Sequence, residues 1–445
     1  METLKPKIGL RSAIFLVISV IIGSGVFKKI APMSEALGSS LWVVFCWVFA
    51  GLISLAGALS TAELVSMFPN SGGEYHYFQK IYGRFFAFLY GWASFSVIKT
   101  AAISALAYIF SQSLFSLFDM SFLGFQDIDI AIKCVAGILI LLLTWLNVRG
   151  VHLAEGFSSY LTYAMLLGIV LFIGAGFSSP QGNWAHFRLG QGHVADGDLF
   201  KVLMLASLGA FWGYEGWNNL GFIGEEIKLA KRNLPLALGI GTLIVIVAYV
   251  VLNAVFLYVL PIEFFVGLQQ FPNKVAAVEV ASALGGPWGM ACVAGLILIS
   301  TLNATNSTIL MSARILYAMA RDGLFFKQAQ SVHSTYNTPD WALWIQGIWA
   351  VGLLFTGSFD QLTDMLVFAS FLFYGSSALG VILLRVREPA LDRPYRVIGY
   401  PWVPLIFVLF CTILFIVTIL NQPFEAFLGL SLIATGIPCF FWLNK

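Results

Sequence analysis

Apolar residues run in blocks of about twenty from one end of the chain to the other, and each block is long enough to cross a hydrocarbon core of about 30 Å as a helix. The blocks fall near residues 11–30, 40–67, 84–115, 130–147, 157–176, 200–223, 234–260, 286–320, 341–357, 363–384, 401–420 and 424–442. The pattern predicts an all-α membrane protein of twelve transmembrane helices. The segment before the first block, Met1 to Arg11, leads into a span too long for a cleavable signal peptide, so that span is expected to be retained.

Composition agrees with lipid as the main solvent. The chain has 445 residues, of which 59% are hydrophobic and only 10% charged, against roughly 25% charged residues in an ordinary soluble domain. Lys and Arg are biased toward cytoplasmic loops, which sets orientation. With Met1 inside, seventeen of the 24 basic residues fall on the inner side, among them Lys5, Arg11, Lys80, Arg314, Arg321, Arg393 and Lys445. Six fall outside (Lys28, Lys29, Lys133, Arg188, Lys201 and Lys274) and Lys99 falls within a span. Both termini are therefore expected to be cytoplasmic.

The net charge of +2 comes with no long basic run or basic aromatic patch, so a nucleic-acid partner is not expected. Cys46, Cys134, Cys292, Cys411 and Cys439 lie in or beside spans without metal-ligand spacing and read as buried small hydrophobes. The five histidines, including His152 and His193, sit in loops or at span ends without an HExxH pattern. Neither a metal, a cofactor nor an enzymatic constellation is expected. Rings of charged residues, the mark of a channel, are also missing from the pattern.

Glycines mark two spans as broken. The first holds Gly23-Ser24-Gly25 near the bilayer midplane, and the sixth holds Phe211-Trp212-Gly213-Tyr214-Glu215-Gly216-Trp217-Asn218 at the corresponding place. Either motif alone reads equally well as close helix packing. Together they occupy matching positions in two five-helix halves, the pointer to an inverted-repeat transporter site. Unwound backbone in a membrane is tolerated where it lines a cavity. The half-helix after Ser24 would offer free N–H groups and a positive dipole end to a carboxylate. Carbonyls around Ile21, and at Phe211 and Trp212, would accept from an ammonium group. A backbone receptor of this polarity fits an α-amino acid.

The motifs in order resemble the amino acid-polyamine-organocation superfamily, and within it the L-type amino acid transporter group and its bacterial relatives. They are Ile22-Gly23-Ser24-Gly25-Val26-Phe27, Ser71-Gly72-Gly73-Glu74-Tyr75, Gly216-Trp217-Asn218, Gly224-Glu225-Glu226-Ile227 and Arg232-Asn233-Leu234-Pro235. Ser312-Ala313-Arg314, Tyr317 to Gly323, Thr338-Pro339, Arg393-Pro394-Tyr395-Arg396 and Gly399-Tyr400-Pro401 follow. The resemblance implies a LeuT-type 5+5 inverted repeat plus two C-terminal helices: 11–176 as the first repeat, 200–384 as the second, and 401–442 beyond them. It also implies substrate contacts at Ile21, Gly23, Ser24 and Gly25, an aromatic gate at Trp212 and a polar site residue at Asn218. The expected function is amino-acid exchange by alternating access, for neutral or cationic substrates, with proton- or sodium-coupled symport as the alternative.

Two departures bear on coupling and partners. Where the family usually carries a helix 5 lysine, Met165 stands in Ala164-Met165-Leu166-Leu167, so that charge is missing. Ser300, Thr301 and Thr305 could serve a cation, although helix hydroxyls more often bond their own backbone. Eukaryotic members join an accessory glycoprotein through a cysteine between helices 3 and 4, and residues 116–129 contain none. A disulfide-linked heavy chain is therefore not expected, and the short termini suit a bacterial inner-membrane protein.

Intramembrane charge completes the candidate chemistry, because a carboxylate there costs about 2.5–3.5 kcal/mol on insertion scales. For Glu215 three readings stand: a partner for a cationic substrate, a proton carrier, or a neutral acid capping backbone. Lys99 reads as a structural cation, with Glu215 a conceivable partner. Asn303 and Asn306 share a helix face and are expected to bond across helices. Glu225, Glu226, Arg314 and Arg321 are expected to form ion pairs that hold one closed state.

Overall fold

The computed structural model describes residues 6–118, 127–187, 199–271 and 274–443. Met1, Lys5, Arg188, His193 and Lys445, residues 119–126 of the loop expected to lack a cysteine, and the side chain of His152 lie outside this description. Among the described residues the regular structure is helical, with one isolated parallel bridge between Ile8 and Ile227. That outcome is dictated by solvent, because lipid offers backbone groups no partner and each helix satisfies its own.

Ten helical segments among the described residues are long and apolar enough to cross a membrane. The first combines α1 (Leu10–Ile21) with α2 (Gly25–Lys28), and α3 (Ile30–Leu37) follows it. Next come α4 (Ser40–Met67), the short α5 (Glu74–Tyr82), and a span built from α6 (Arg84–Ala93), a π-helical turn (Ser94–Ile98) and α7 (Lys99–Leu117). Then come α8 (Ile128–Val148), α9 (Val151–Phe177), α10 (Leu199–Tyr214), α11 (Ala230–Val259), α12 (Ile262–Leu268), α13 (Ala276–Arg321), α14 (Asp340–Leu354) and α15 (Phe359–Arg387). They are followed by α16 (Trp402–Asn421), α17 (Pro423–Ala434) and α18 (Gly436–Leu443). Helices α10, with 16 residues, and α14, with 15, coincide with expected spans but are shorter than the other ten.

Several edges differ from the hydropathy pattern. The sixth block, expected to reach residue 223, is helical only to Tyr214 and continues as a 3₁₀ segment, Trp217–Glu226. Helix α13 is interrupted at Gly285 (φ −145°, ψ 20°) and Gly286 (φ 56°, ψ −143°), so a short helical piece from Ala276 precedes the long span, which starts near the expected 286. The π-helical turn has no hydropathy signature: Thr100 donates its hydroxyl to the Phe95 carbonyl five residues back at 2.7 Å.

Broken α1 packs on α11, α13 and α9, and α10 packs on α4, α3, α15 and α2. The two interrupted segments thus meet at the centre, walled by α7 and α13. Large apolar side chains such as Ile138, Leu171, Val247 and Leu409 remain exposed on the periphery, where lipid covers them. Two cysteines, Cys46 and Cys411, are buried, whereas Cys292 is exposed on α13, contrary to the expectation that all five are buried. An apolar thiol on such a surface incurs no polar cost in lipid.

Candidate functional site

Helix α1 ends at Ile21, where Ile22 leaves helical geometry (φ −76°, ψ 86°), and a new turn starts after Ser24. The N–H groups of Ser24, Gly25 and Val26 find no backbone carbonyl among the described residues. Helix α10 ends at Tyr214, and Gly216 takes φ +106°, a left-handed conformation that a side chain would strain. The two breaks touch: a Cβ built on Gly25 would lie 2.4 Å from Gly213 Cα.

Between them lies a small cavity. Ile21, Gly23, Ser24 and Gly25 line it from the first break, and Trp212, Glu215 and Gly216 from the second. Lys99, Ala102 and Leu106 face it from α7, Thr308 from α13, and Asn219 from the 3₁₀ segment. Trp212 donates its indole N–H to Ser24 Oγ at 3.3 Å and so covers the cavity edge to edge with the first break.

Two expected contacts, at Ile21 and Asn218, look different in space. The Ile21 carbonyl already accepts from the Tyr249 hydroxyl at 2.8 Å and from the Gly23 N–H at 2.8 Å, leaving no free lone pair for an ammonium. The Phe211 ring packs against Phe371 and Phe410 at 4.8 and 4.9 Å, away from the cavity, so only its carbonyl, the group expected to take part, bears on the site. Asn218 also turns away from the cavity and donates to Glu74 Oε2 at 2.6 Å. Its neighbour Asn219, outside the sequence motif, lines the cavity with a buried Oδ1 that has no hydrogen-bond partner among the described residues. The signal was the tandem Asn218-Asn219, one helical step apart and therefore on different faces.

Lys99 reaches Glu215 Oε1 at 2.9 Å, both side chains buried. The Tyr374 hydroxyl lies 2.7 and 2.8 Å from the two Glu215 oxygens. Met165 is fully buried. Thr301 and Thr305 donate to the carbonyls of Ile297 and Thr301 one turn back, at 2.7 and 2.6 Å. Ser300 instead crosses to the first break and donates to the Ile22 carbonyl at 2.7 Å. Asn306 accepts from Asn147 at 2.8 Å, and Asn303 bonds Ser158 and Thr162, so these two amides tie helices together.

Ion pairs bar both approaches. Toward the N-terminal side, Arg314 meets Glu226 at 3.3 Å, and the Lys7 and Ile8 N–H groups donate to the Glu226 carbonyl at 2.8 and 2.9 Å. Arg321 was expected in that lock but lies over the Tyr317 ring at 5.6 Å instead. On the opposite side Lys29 bridges Asp360 at 2.6 Å and Asp364 at 3.7 Å. Burial works against the Lys29 ammonium, but Asp364 and Asp360 outweigh it and hold its pKa above the ordinary value.

A small cavity at two interrupted helices, flanked by the Arg314–Glu226 and Lys29–Asp360 ion pairs, fits a membrane carrier for a small solute. The chain belongs to the amino acid permease family, whose model matches residues 8–442. It is 30% identical to the human b(0,+)-type amino acid transporter 1 over 427 residues, covering 95% of this chain and 84% of that one. To the serine/threonine exchanger SteT of Bacillus subtilis it is 29% identical over 444 residues, covering 99% and 98%. The human cystine/glutamate transporter is 27% identical over 442 residues, covering 98% and 85%.

Proposed function

We propose that this chain exchanges one neutral α-amino acid for another by alternating access. The observation that carries this reading is the polarity of the cavity wall. Unpartnered N–H groups of Ser24 and Gly25 stand on one side, and the unpartnered Asn219 Oδ1 on the other. Donors and acceptor so arranged match the two charges of a zwitterion and spare the site an unpaired side-chain charge. The carboxylate takes the N–H groups. The ammonium takes Asn219 and the carbonyl end of α10 near Trp212. Trp212 is the gate.

A neutral substrate side chain follows from Glu215, whose oxygens are occupied by Lys99 and Tyr374. Exchange follows from the relatives' own descriptions, two of which name an exchanger or a paired substrate. The architecture we assign is twelve spans, with 11–176 and 200–384 as inverted repeats and 401–442 as two added helices. Alternating access then means opening the Arg314 and Glu226 side while the Lys29 side stays shut, and the reverse. We place both termini in the cytoplasm of a cell whose plasma membrane holds the protein, acting without a disulfide-linked partner.

A thermal-shift screen of the purified protein against the standard amino acids and polyamines tests the substrate class, because a ligand that binds the folded state alone raises its stability. Small neutral amino acids raise the melting temperature. Stabilisation by polyamines or lysine alone would contradict the reading.

A further inference from the structure

Behind the cavity the Lys99 and Glu215 pair is joined to a second buried acid. Glu74, at the start of α5, is 1% exposed. Its Oε2 accepts from Asn218 at 2.6 Å and from the Tyr90 hydroxyl in a very short bond, and its Oε1 lies 3.3 Å from Ser377 Oγ. Asn218 Oδ1 in turn faces Lys99 Nζ at 3.5 Å and the Tyr374 hydroxyl at 3.1 Å. One continuous network therefore contains two carboxyl groups and one ammonium, all buried. Its remaining members are neutral: Tyr90 from α6, Asn218 from the 3₁₀ segment, and Tyr374 and Ser377 from α15. Tyr77, on the same helix as Glu74, is also neutral and buried.

With both acids ionised the network would bury one uncompensated negative charge, a cost that proteins avoid by neutralising the group. Lys99 is in direct contact with Glu215, at 2.9 Å, and reaches Glu74 only through Asn218. The added proton belongs on the acid without the cation. Glu74 also has room for it, since Ser377 Oγ can accept from Oε1 while Oε2 keeps its two donors.

We propose that Glu74 is a proton-binding site, occupied by one proton in the closed carrier and required for closure. Glu74 lies outside the ten spans, and burial foremost pushes its carboxyl pKa up, with Glu215 adding to the rise against opposing Tyr90, Lys99 and Asn218. When the carrier opens toward the N-terminal side, α5 and the 3₁₀ segment meet water and the proton can leave. Closure requires its return. Exchange therefore slows as pH rises through the Glu74 pKa, by up to about tenfold per pH unit once the acid is mostly ionised.

Infrared spectroscopy of the purified protein reads the proton without transport. Wild type minus Glu74→Gln, at neutral pH, is expected to show the carbonyl stretch of one protonated carboxyl group. Superimposable spectra in that region would overturn the proposal. Lys99→Gln provides a second reading that does not need Glu74→Gln to fold: two acids without a cation bind two protons, so the band grows, and an unchanged band would contradict the charge count. Loss of the wild-type band on adding a cationic amino acid, but not a neutral one, would mean that a ligand charge and not a proton completes the network, which also overturns it.

The transport arm rests on the exchange reading. With equal pH on both sides of proteoliposomes, from about pH 5 to about pH 9, wild-type exchange of a neutral amino acid falls with pH, Glu74→Asp keeps a falling profile and Glu74→Gln is flat. A Glu74→Gln profile that falls like wild type would sink the proposal. Wild type that exchanges at no pH would sink the exchange reading instead, leaving the infrared result to stand.

Discussion

Replacing Gly25 by alanine is the smallest change that should disable the carrier. The added methyl would lie 2.4 Å from Gly213 Cα, 2.9 Å from Gly213 N and 3.2 Å from Trp212 Cδ1. Comfortable carbon contacts begin near 3.5 Å, so the two breaks must separate by about 1 Å. Two of the three atoms are backbone, and no rotamer change can relieve them. Overpacking of this kind costs about 1–3 kcal/mol. If the closed state bears that cost while the open states do not, closure and exchange fall by about 5- to 150-fold. The assay is exchange in proteoliposomes, with a detergent melting curve to show that the variant folds. Gly23→Ala is the internal control, because its methyl meets the movable Leu106 Cδ2 at 2.6 Å and Ala304 Cβ only at 3.6 Å. A folded Gly25→Ala with wild-type exchange, or a Gly23→Ala that is the more damaged of the two, would refute the close-contact reasoning.

Other outcomes follow from the same geometry. Trp212→Ala removes the donor to Ser24 and uncovers the cavity, so KM rises and uptake slows, whereas Trp212→Phe keeps the ring and loses less; radiolabel uptake compares the two. Asn219→Ala removes the free acceptor and should raise KM by about tenfold, the worth of one hydrogen bond to a charged group, and an unchanged KM would exclude it from the amine site. Ser300→Ala frees the Ile22 carbonyl and loosens the first break, lowering affinity by a few fold at a cost of about 1 kcal/mol in equilibrium binding. Arg314→Met leaves the buried Glu226 carboxylate unpaired, which costs about 3–5 kcal/mol in the closed state. Alkylation of Ala102→Cys in that background should accelerate from the N-terminal side of the membrane and not from the other.

What the sequence disclosed and what it concealed divide along physical lines. Both helix breaks were legible because glycine pairs interrupt otherwise continuous apolar runs, and Trp212 and Glu215 were legible because aromatic and acidic residues at mid-membrane demand a reason. The π-helical turn at Ser94–Ile98 was not, since its composition is that of the surrounding helix. Nor was the setting of Glu74, which along the chain looks like an ordinary first-turn acid of a short helix; the approach of Tyr90 from α6, Asn218 from the 3₁₀ segment and Ser377 from α15 encloses it. The occupied Ile21 carbonyl is not legible in the sequence either, because Tyr249 comes from 228 residues away. Asn218 belongs to the sequence motif and Asn219 does not, yet it is Asn219 that lines the cavity.

Exchange at the cavity between the two helix breaks is tested most directly by counterflow. Proteoliposomes preloaded with an unlabelled neutral amino acid should take up labelled amino acid far faster than empty vesicles, with no ion gradient imposed. Equally fast uptake into empty vesicles, driven by a proton or sodium gradient, would contradict the account.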